Sequence, residues 1–360
     1  MDTYKKNGCR EKNISSTISY KLLSHSFQKL VQSTITTLLL LPALFSCQKS
    51  ETDAADVPVP ETKAILLDPG NNGTTGIIDI FTFDADGARH LDSYQHYESF
   101  SGSSIGLRSQ SGDKHIFICA NGQRSASEWT SVNSMESLEG MHVELKDERM
   151  GGLCATGQGI ISAGSGISYP IEMRPIAGEI VLNSIRCDFR GKSYEGEKIT
   201  DVAVYLTNVN CRCSITAEGE TVPSGIVNAG RADPEDMAEF ADPGILYKKM
   251  KRSIDDRTTY AAMHFICYPN ASPREGPGTP FTRLVIEGKI GGETFWWPID
   301  INRGEDTENP GIYRNTSYIF DICITRKGAA DPDTVIETED ATVNMRIMPW
   351  KEKEERQEIF

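Results

Sequence analysis

The sequence predicts an all-β protein with minor helices, built as β-sandwiches behind an N-terminal export segment. Three observations predict it. Apolar and polar residues alternate over short runs along most of the chain. Turn residues punctuate those runs at modest intervals, as expected of sandwiches. A short apolar run near the N-terminus ends at a single cysteine, and an acidic tract follows.

The apolar run covers about Ile35–Phe45. A bilayer-spanning helix needs about 20 residues, so this run suits the h-region of an export signal instead. Lys5, Lys6, Arg10, Lys12, Lys21 and Lys29 supply the basic stretch ahead of it. That stretch is long, which leaves open a translation start downstream of Met1. Leu44-Phe45-Ser46-Cys47 has the form of a lipobox: an aliphatic residue at −3, a small one at −1, then the cysteine. The thiol of Cys47 is therefore the expected lipidation site. Two or three acyl chains, each contributing about 0.8 kcal/mol per buried CH₂, give a durable membrane anchor. On this reading residues 1–46 are a signal peptide. Residues 47–62, acidic and carrying Pro58 and Pro60, are a flexible tether.

Charge narrows the partners. The chain carries a formal −14, and loss of a leader with six Lys/Arg and two Asp/Glu moves it to −18. A chain this acidic repels phosphate backbones, so nucleic acid is excluded as a natural partner. The body would not adhere to anionic lipid either; the acylated cysteine would have to hold it.

The strands follow in order. Lys63–Asp68 (Lys63, Ala64, Ile65, Leu66, Leu67, Asp68) is the candidate first strand, and the next begins near Ile77. "IIDIFTFDADGARHLDSY" turns at Asp86-Gly87, a hairpin signal. A short helix is expected within 134–148. The Gly-rich stretch 151–168 marks a boundary, giving sandwiches over 63–170 and 171–360. "TDVAVYLTNVNC" sets Val202, Val204 and Leu206 on one side. Asp233-Pro234-Glu235-Asp236 combines an N-cap, a first-turn proline and first-turn acids, and opens a short helix. "TRLVIEGKIGGETFWWPIDINR" is the clearest hairpin, two arms around Gly291-Gly292. "NTSYIFDICITRKG" aligns Tyr318, Phe320, Ile322 and Ile324, and "ATVNMRIMPW" supplies the last strand.

Residues that could carry chemistry are few. Gly102–Gly106 fits G-x-S-x-G, but no helix pattern follows it, so a polar loop is the better reading. The six histidines are scattered without metal-ligand spacing. Asp84-Ala85-Asp86-Gly87 lacks the later acids of a calcium loop. Lys248–Arg252 reads as a solvated basic loop. Cys119, Cys267 and Cys323 lie in apolar runs and read as small buried hydrophobes. Cys211 and Cys213 share a strand face without two further ligands for a metal. Beyond Cys9 and Cys47 the cysteines number seven, odd and irregularly spaced, unlike a disulfide framework. In Trp296-Trp297, Trp297 faces the core with Phe295 and Ile299. Trp296 faces outward and is the candidate ligand contact, either stacking on a sugar or lying beneath a loop or the other domain. No catalytic constellation or cofactor site emerges.

Several segments together resemble the fimbrillin-type pilus subunits of Bacteroidetes, two-domain transthyretin-like β-sandwich lipoproteins. They are "IIDIFTFDADGARHLDSY", "GDKHIFICANG", "IEMRPIAGEIVLNSI" after the Gly-rich stretch, and the ending "IYRNTSYIFDICITRKGAADPD…TVNMRIMPW". The ending is the most specific, with Arg314-Asn315, Tyr318 and a close on Trp350. The resemblance covers most of residues 63–360. It implies a non-enzymatic fimbrial lipoprotein displayed on the cell surface, with other pilus subunits, the outer membrane and host or bacterial surface ligands as partners. Ser50-Glu51 and Asp53, just past Cys47, resemble the surface-export tag of such lipoproteins. Shaft subunits of the family lose their first strand to an Arg/Lys-directed protease, and a strand from the next subunit fills the groove by β-augmentation. This sequence departs from that pattern: no Lys or Arg occurs from residue 64 to 88. The resemblance with this departure implies an accessory subunit, an anchor or a tip. The alternative is a surface lipoprotein that binds glycans through Trp296.

Overall fold

The computed structural model describes residues 62–68, 76–102, 104–163, 168–216, 218, 222–304, 307–334, 336 and 340–350. The leader, Cys47 and the tether up to Glu61 lie outside them. The described residues belong to one compact unit, and its regular secondary structure is nearly all β.

The first set of strands comprises β1 (Thr62–Asp68), β2 (Gly76–Asp84), β3 (Leu91–Phe100), β4 (Ser104–Arg108) and β5 (Gly112–Ala120). A short helix α1 (Met135–Glu139) follows, then β6 (His142–Glu144), β7 (Ala155–Ala163), β8 (Tyr169–Glu172) and β9 (Arg174–Pro175). Five of these strands make an antiparallel sheet in the order β3-β2-β5-β7-β9, and three make a second sheet, β4-β1-β8. The two sheets meet through Ile78, Ile80, Ile116, Ile118 and Ile161 on one side and Ile105, Leu107 and Ile171 on the other. β2 and β5 are apolar on both faces. Phe81, Phe83, Phe117 and Cys119 point the other way, onto Trp129, Val132, Met135 and Leu138. The Phe81 and Trp129 rings meet edge-on at 5.2 Å.

The second set comprises β10 (Gly178–Cys187), β11 (Thr200–Thr207), β12 (Val209–Asn210), β13 (Arg212–Ser214), β14 (Ile226–Val227) and the helix α2 (Pro234–Ala238). β15 (Tyr247–Lys249), β16 (Thr259–Cys267), β17 (Arg283–Ile290), β18 (Glu293–Asp300), β19 (Thr316–Ile324) and β20 (Ala341–Pro349) complete it. Two four-stranded sheets result, β16-β10-β19-β20 and β15-β11-β17-β18. Their inner faces share Ile180, Leu182, Val202, Val204, Leu206, Phe265, Trp297, Tyr318, Phe320 and Ile322. The β17–β18 turn at Gly291-Gly292 has both residues at positive φ, 60° and 89°, where a side chain would strain the backbone.

Half of the Gly-rich stretch 151–168, read as a boundary, is instead β7, inside the five-stranded sheet. A Cβ on Gly157 would lie 2.5 Å from the Glu172 carbonyl oxygen, so the missing side chain lets β8 approach. Apart from the β6–β13 pair, strands through Pro175 pair within the first set and those from Gly178 within the second. The short helix expected within 134–148 is α1, and a single 3-10 turn follows at Leu145–Asp147. Ser134 caps α1, its hydroxyl accepting from the Ser137 amide at 3.2 Å. Beyond Gly140, pairing of β6 with β13 outweighs local helix preference. That pairing ties the two strand sets together, and a continuous buried cluster from Phe81 to Trp350 does the same.

Candidate assembly site around the first strand

β1 is an interior strand although it is the first one. It runs antiparallel to β4, with Thr62 opposite Arg108 and Leu66 opposite Ser104. It runs parallel to β8, with Ile65 opposite Tyr169 and Asp68 opposite Glu172. Both of its backbone edges are therefore used, and the Ile/Leu layer described above lies beneath its sheet. The far edge of β4 is held by side chains of β3. Gln95 Nε2 donates to the Gly106 carbonyl at 3.0 Å, the Arg108 amide donates to Gln95 Oε1 at 3.2 Å, and Ser93 Oγ donates to the Arg108 carbonyl at 2.7 Å. Taking β1 out would leave two facing strands with unpaired N–H and C=O groups above an apolar floor, a geometry that a new strand can fill.

The strand partners are what sequence reasoning missed. Gly102–Gly106 was read as a polar loop, yet its second half opens β4, where Ile105 and Leu107 are buried. The alternation in "SIGLR" was the available signal. Lys248 and Lys249, read as loop, belong to β15. Arg89, the first basic residue after Lys63, lies in the β2–β3 turn. Its amide bonds the Asp86 carbonyl, its carbonyl accepts from the Met135 amide, and its guanidinium lies 3.1 Å from Glu139. A cut there would remove β2 along with β1. The connection 69–75, with Asn72, lies outside the described residues.

Trp296 is half-buried on the outer face of its sheet. Its indole N–H donates to Glu287 at 3.1 Å, and Tyr205 donates to the same carboxylate oxygen at 3.1 Å. Its backbone exchanges hydrogen bonds with Ala329, which covers the β18 edge. Trp297 is fully buried and donates to the Arg326 carbonyl at 3.1 Å.

The buried polar groups act as pins between strands. Asp79 accepts from Tyr94 at 2.6 Å and lies 2.8 Å from His96 Nδ1. Glu179 lies 2.8 Å from His264 Nδ1 and accepts from Ser317 at 2.6 Å. Arg283, almost wholly buried, meets Glu275, Asp300 and Asp333 at 2.7–2.9 Å. Glu148 accepts from Tyr268 at 2.9 Å and from the Cys154 amide at 3.0 Å, joining the two strand sets. Burial pushes its carboxyl up to about 7. The cleft formed by Arg186–Arg190, Glu195–Lys198 and Asp255–Arg257 is charged, but its ions pair with each other, as in Arg190–Asp188 and Arg257–Asp255. Among the described residues no three His, Cys, Asp or Glu side chains converge as metal ligands, and no helix is long and apolar enough to cross a membrane.

Stacked β-sheets with an interior first strand define the class: an all-β fold of the sandwich type. No protein-family model matches the chain, and no curated protein does. Solved structures do. Two proteins, each called a "putative cell adhesion protein", superpose well. The one from Parabacteroides distasonis has a TM-score of 0.60 at 15% identity, covering 81% of this chain and 97% of its own. The one from Bacteroides eggerthii has a TM-score of 0.59 at 14% identity, covering 81% and 96%. A fimbrilin from Porphyromonas gingivalis has a TM-score of 0.58 at 12% identity, covering 81% and 98%. The chain thus shares the fold of a fimbrilin and of these adhesion proteins, which agrees with the resemblance drawn from its sequence.

Proposed function

We propose that this chain is a non-enzymatic fimbrial subunit of the fimbrillin type. In this reading it is exported as a lipoprotein acylated on Cys47, displayed at the cell surface and joined to other pilus subunits by β-strand exchange. Within the fibre it is an accessory subunit, anchor or tip, contributing to adhesion. The two strand sets are its two domains.

The observation that carries this reading is the position of β1, flanked on both edges in a protein with a fimbrilin's fold. Lys63 lies at the start of β1, so a cut after it would leave the strand nearly whole. The next basic residue is beyond β2. Retained, β1 keeps its own groove filled, and the subunit takes no donor strand there. It can still present a strand or dock through the second domain. The glycan-binding alternative has less support, because the Trp296 indole N–H is engaged and the residue lies under neighbouring chain.

Inserting an arginine near Asn72 tests the assembly claim. Native trypsin should leave residues 64–88 attached to the core in the wild-type protein and release β1 from the variant. The variant should then capture a strand peptide that the wild type ignores. Equal capture by both would remove the accessory-subunit reading.

A further inference from the structure

We propose that Cys119 and Cys154 form an intrachain disulfide, a covalent link between the central strand β5 and the entry to β7. Their sulfurs lie 3.8 Å apart, in van der Waals contact, and both residues are fully buried. Cys119 stands opposite Thr156 in the β5–β7 ladder, so Cys154, two residues earlier, is its diagonal neighbour on the same face. Cys119 is held by the ladder, whereas Cys154 precedes β7 and is tied by the bond from its amide to Glu148. Closing the gap to the bonding distance of about 2 Å needs side-chain rotation and a small approach of the backbone at Cys154. Room for the sulfur is provided by Gly122, where a Cβ would lie 2.7 Å from Cys119 Sγ.

Either cysteine alone would be explained as a small core residue. Two in contact, in a chain with seven cysteines beyond Cys9 and Cys47, call for more. Among the described residues no other two thiols approach this closely. The cross-link would close the loop 120–153, which carries Trp129, α1 and β6 with its pairing to β13. It would thereby secure the contact between the two strand sets.

The chemistry is thiol–disulfide exchange. One thiolate attacks a disulfide donor, forming a mixed disulfide and releasing one thiol. The second thiolate then displaces the other donor thiol, so the protein loses two hydrogens and the donor is reduced to two thiols. The Cys119 thiol beside it, together with burial, holds the Cys154 thiol well above its ordinary range. The bond therefore forms before the core closes.

Only the cellular side of this inference rests on the export reading. The full chain is unfolded in urea under reduction, refolded in a reduced/oxidised glutathione buffer, alkylated and digested with trypsin. The peptides 115–124 and 150–186 each hold one cysteine. They should appear joined, with loss of two hydrogens, and the linked protein should melt several degrees above the reduced form. Cys154→Ser should abolish the joined peptide; if that variant does not fold, the wild-type map decides. Both peptides alkylated in the oxidised, folded monomer would overturn the proposal, as would scrambled links to other cysteines. Linkage in vitro with free thiols in protein taken from cells would count against export and leave the bond itself standing.

Discussion

Around β17 and β18 the chain folds on its immediate neighbour. The two strands pair along their whole length, from Arg283 with Asp300 to Ile290 with Glu293, across one two-glycine turn. Around β1 the chain does the reverse. Its partners β4 and β8 come some 40 and 100 positions later, and one of them runs parallel to it. The hairpin is held by contacts that form locally. The first strand is held by contacts that require the rest of its strand set to be in place. Removing a strand attached this way breaks only pairings distant in sequence, whereas removing one arm of the hairpin breaks a local one.

Paired truncations sharpen that contrast. Trp297→Ala empties the largest site in the β17–β18 layer and should cost about 3–5 kcal/mol in urea unfolding. Leu107→Ala, beneath the β1 sheet, should cost about 2–5 kcal/mol. It should also speed native proteolysis at Lys63, which Trp297→Ala should leave unchanged. Equal proteolysis in both variants would mean that β1 depends on the core of the second strand set as much as on the layer beneath it.

Glu148 tests how the regions are joined. Its folded carboxyl titrates near 7, above the ordinary value of 4.5, so the folded state holds that proton more tightly than the unfolded state. Its contribution to stability is therefore fully present below about pH 4.5, falls as pH rises through 7, and levels off beyond. Glu148→Gln should flatten that slope and add about 2–3 kcal/mol at pH 8. An unchanged slope would show that the carboxylate is relieved in some other way.

The hairpin was legible because two-residue periodicity and paired glycines are local signals. The same holds for the Tyr318–Ile324 face and for the capped helix at Asp233. The pairing of β1 was not legible, because "SIGLR" offers only a brief alternation, "YPIE" is shorter still, and both pair with a strand far away in sequence. The glycines of β7 misled for a physical reason. Glycine marks a flexible connector and equally a place where another backbone approaches, and at Gly157 the second applies. The contact of Cys119 with Cys154 lies beyond periodicity altogether, since only the β5–β7 register brings the two together.

The central claim is that the first strand stays where it is. The intact mass of the protein taken from the cell surface tests it most directly, because it reports acylation and strand loss at once. The expected species begins at Cys47, carries its acyl chains and retains Lys63–Asp68. A species beginning near residue 70, without lipid, would make this a shaft subunit and contradict the account.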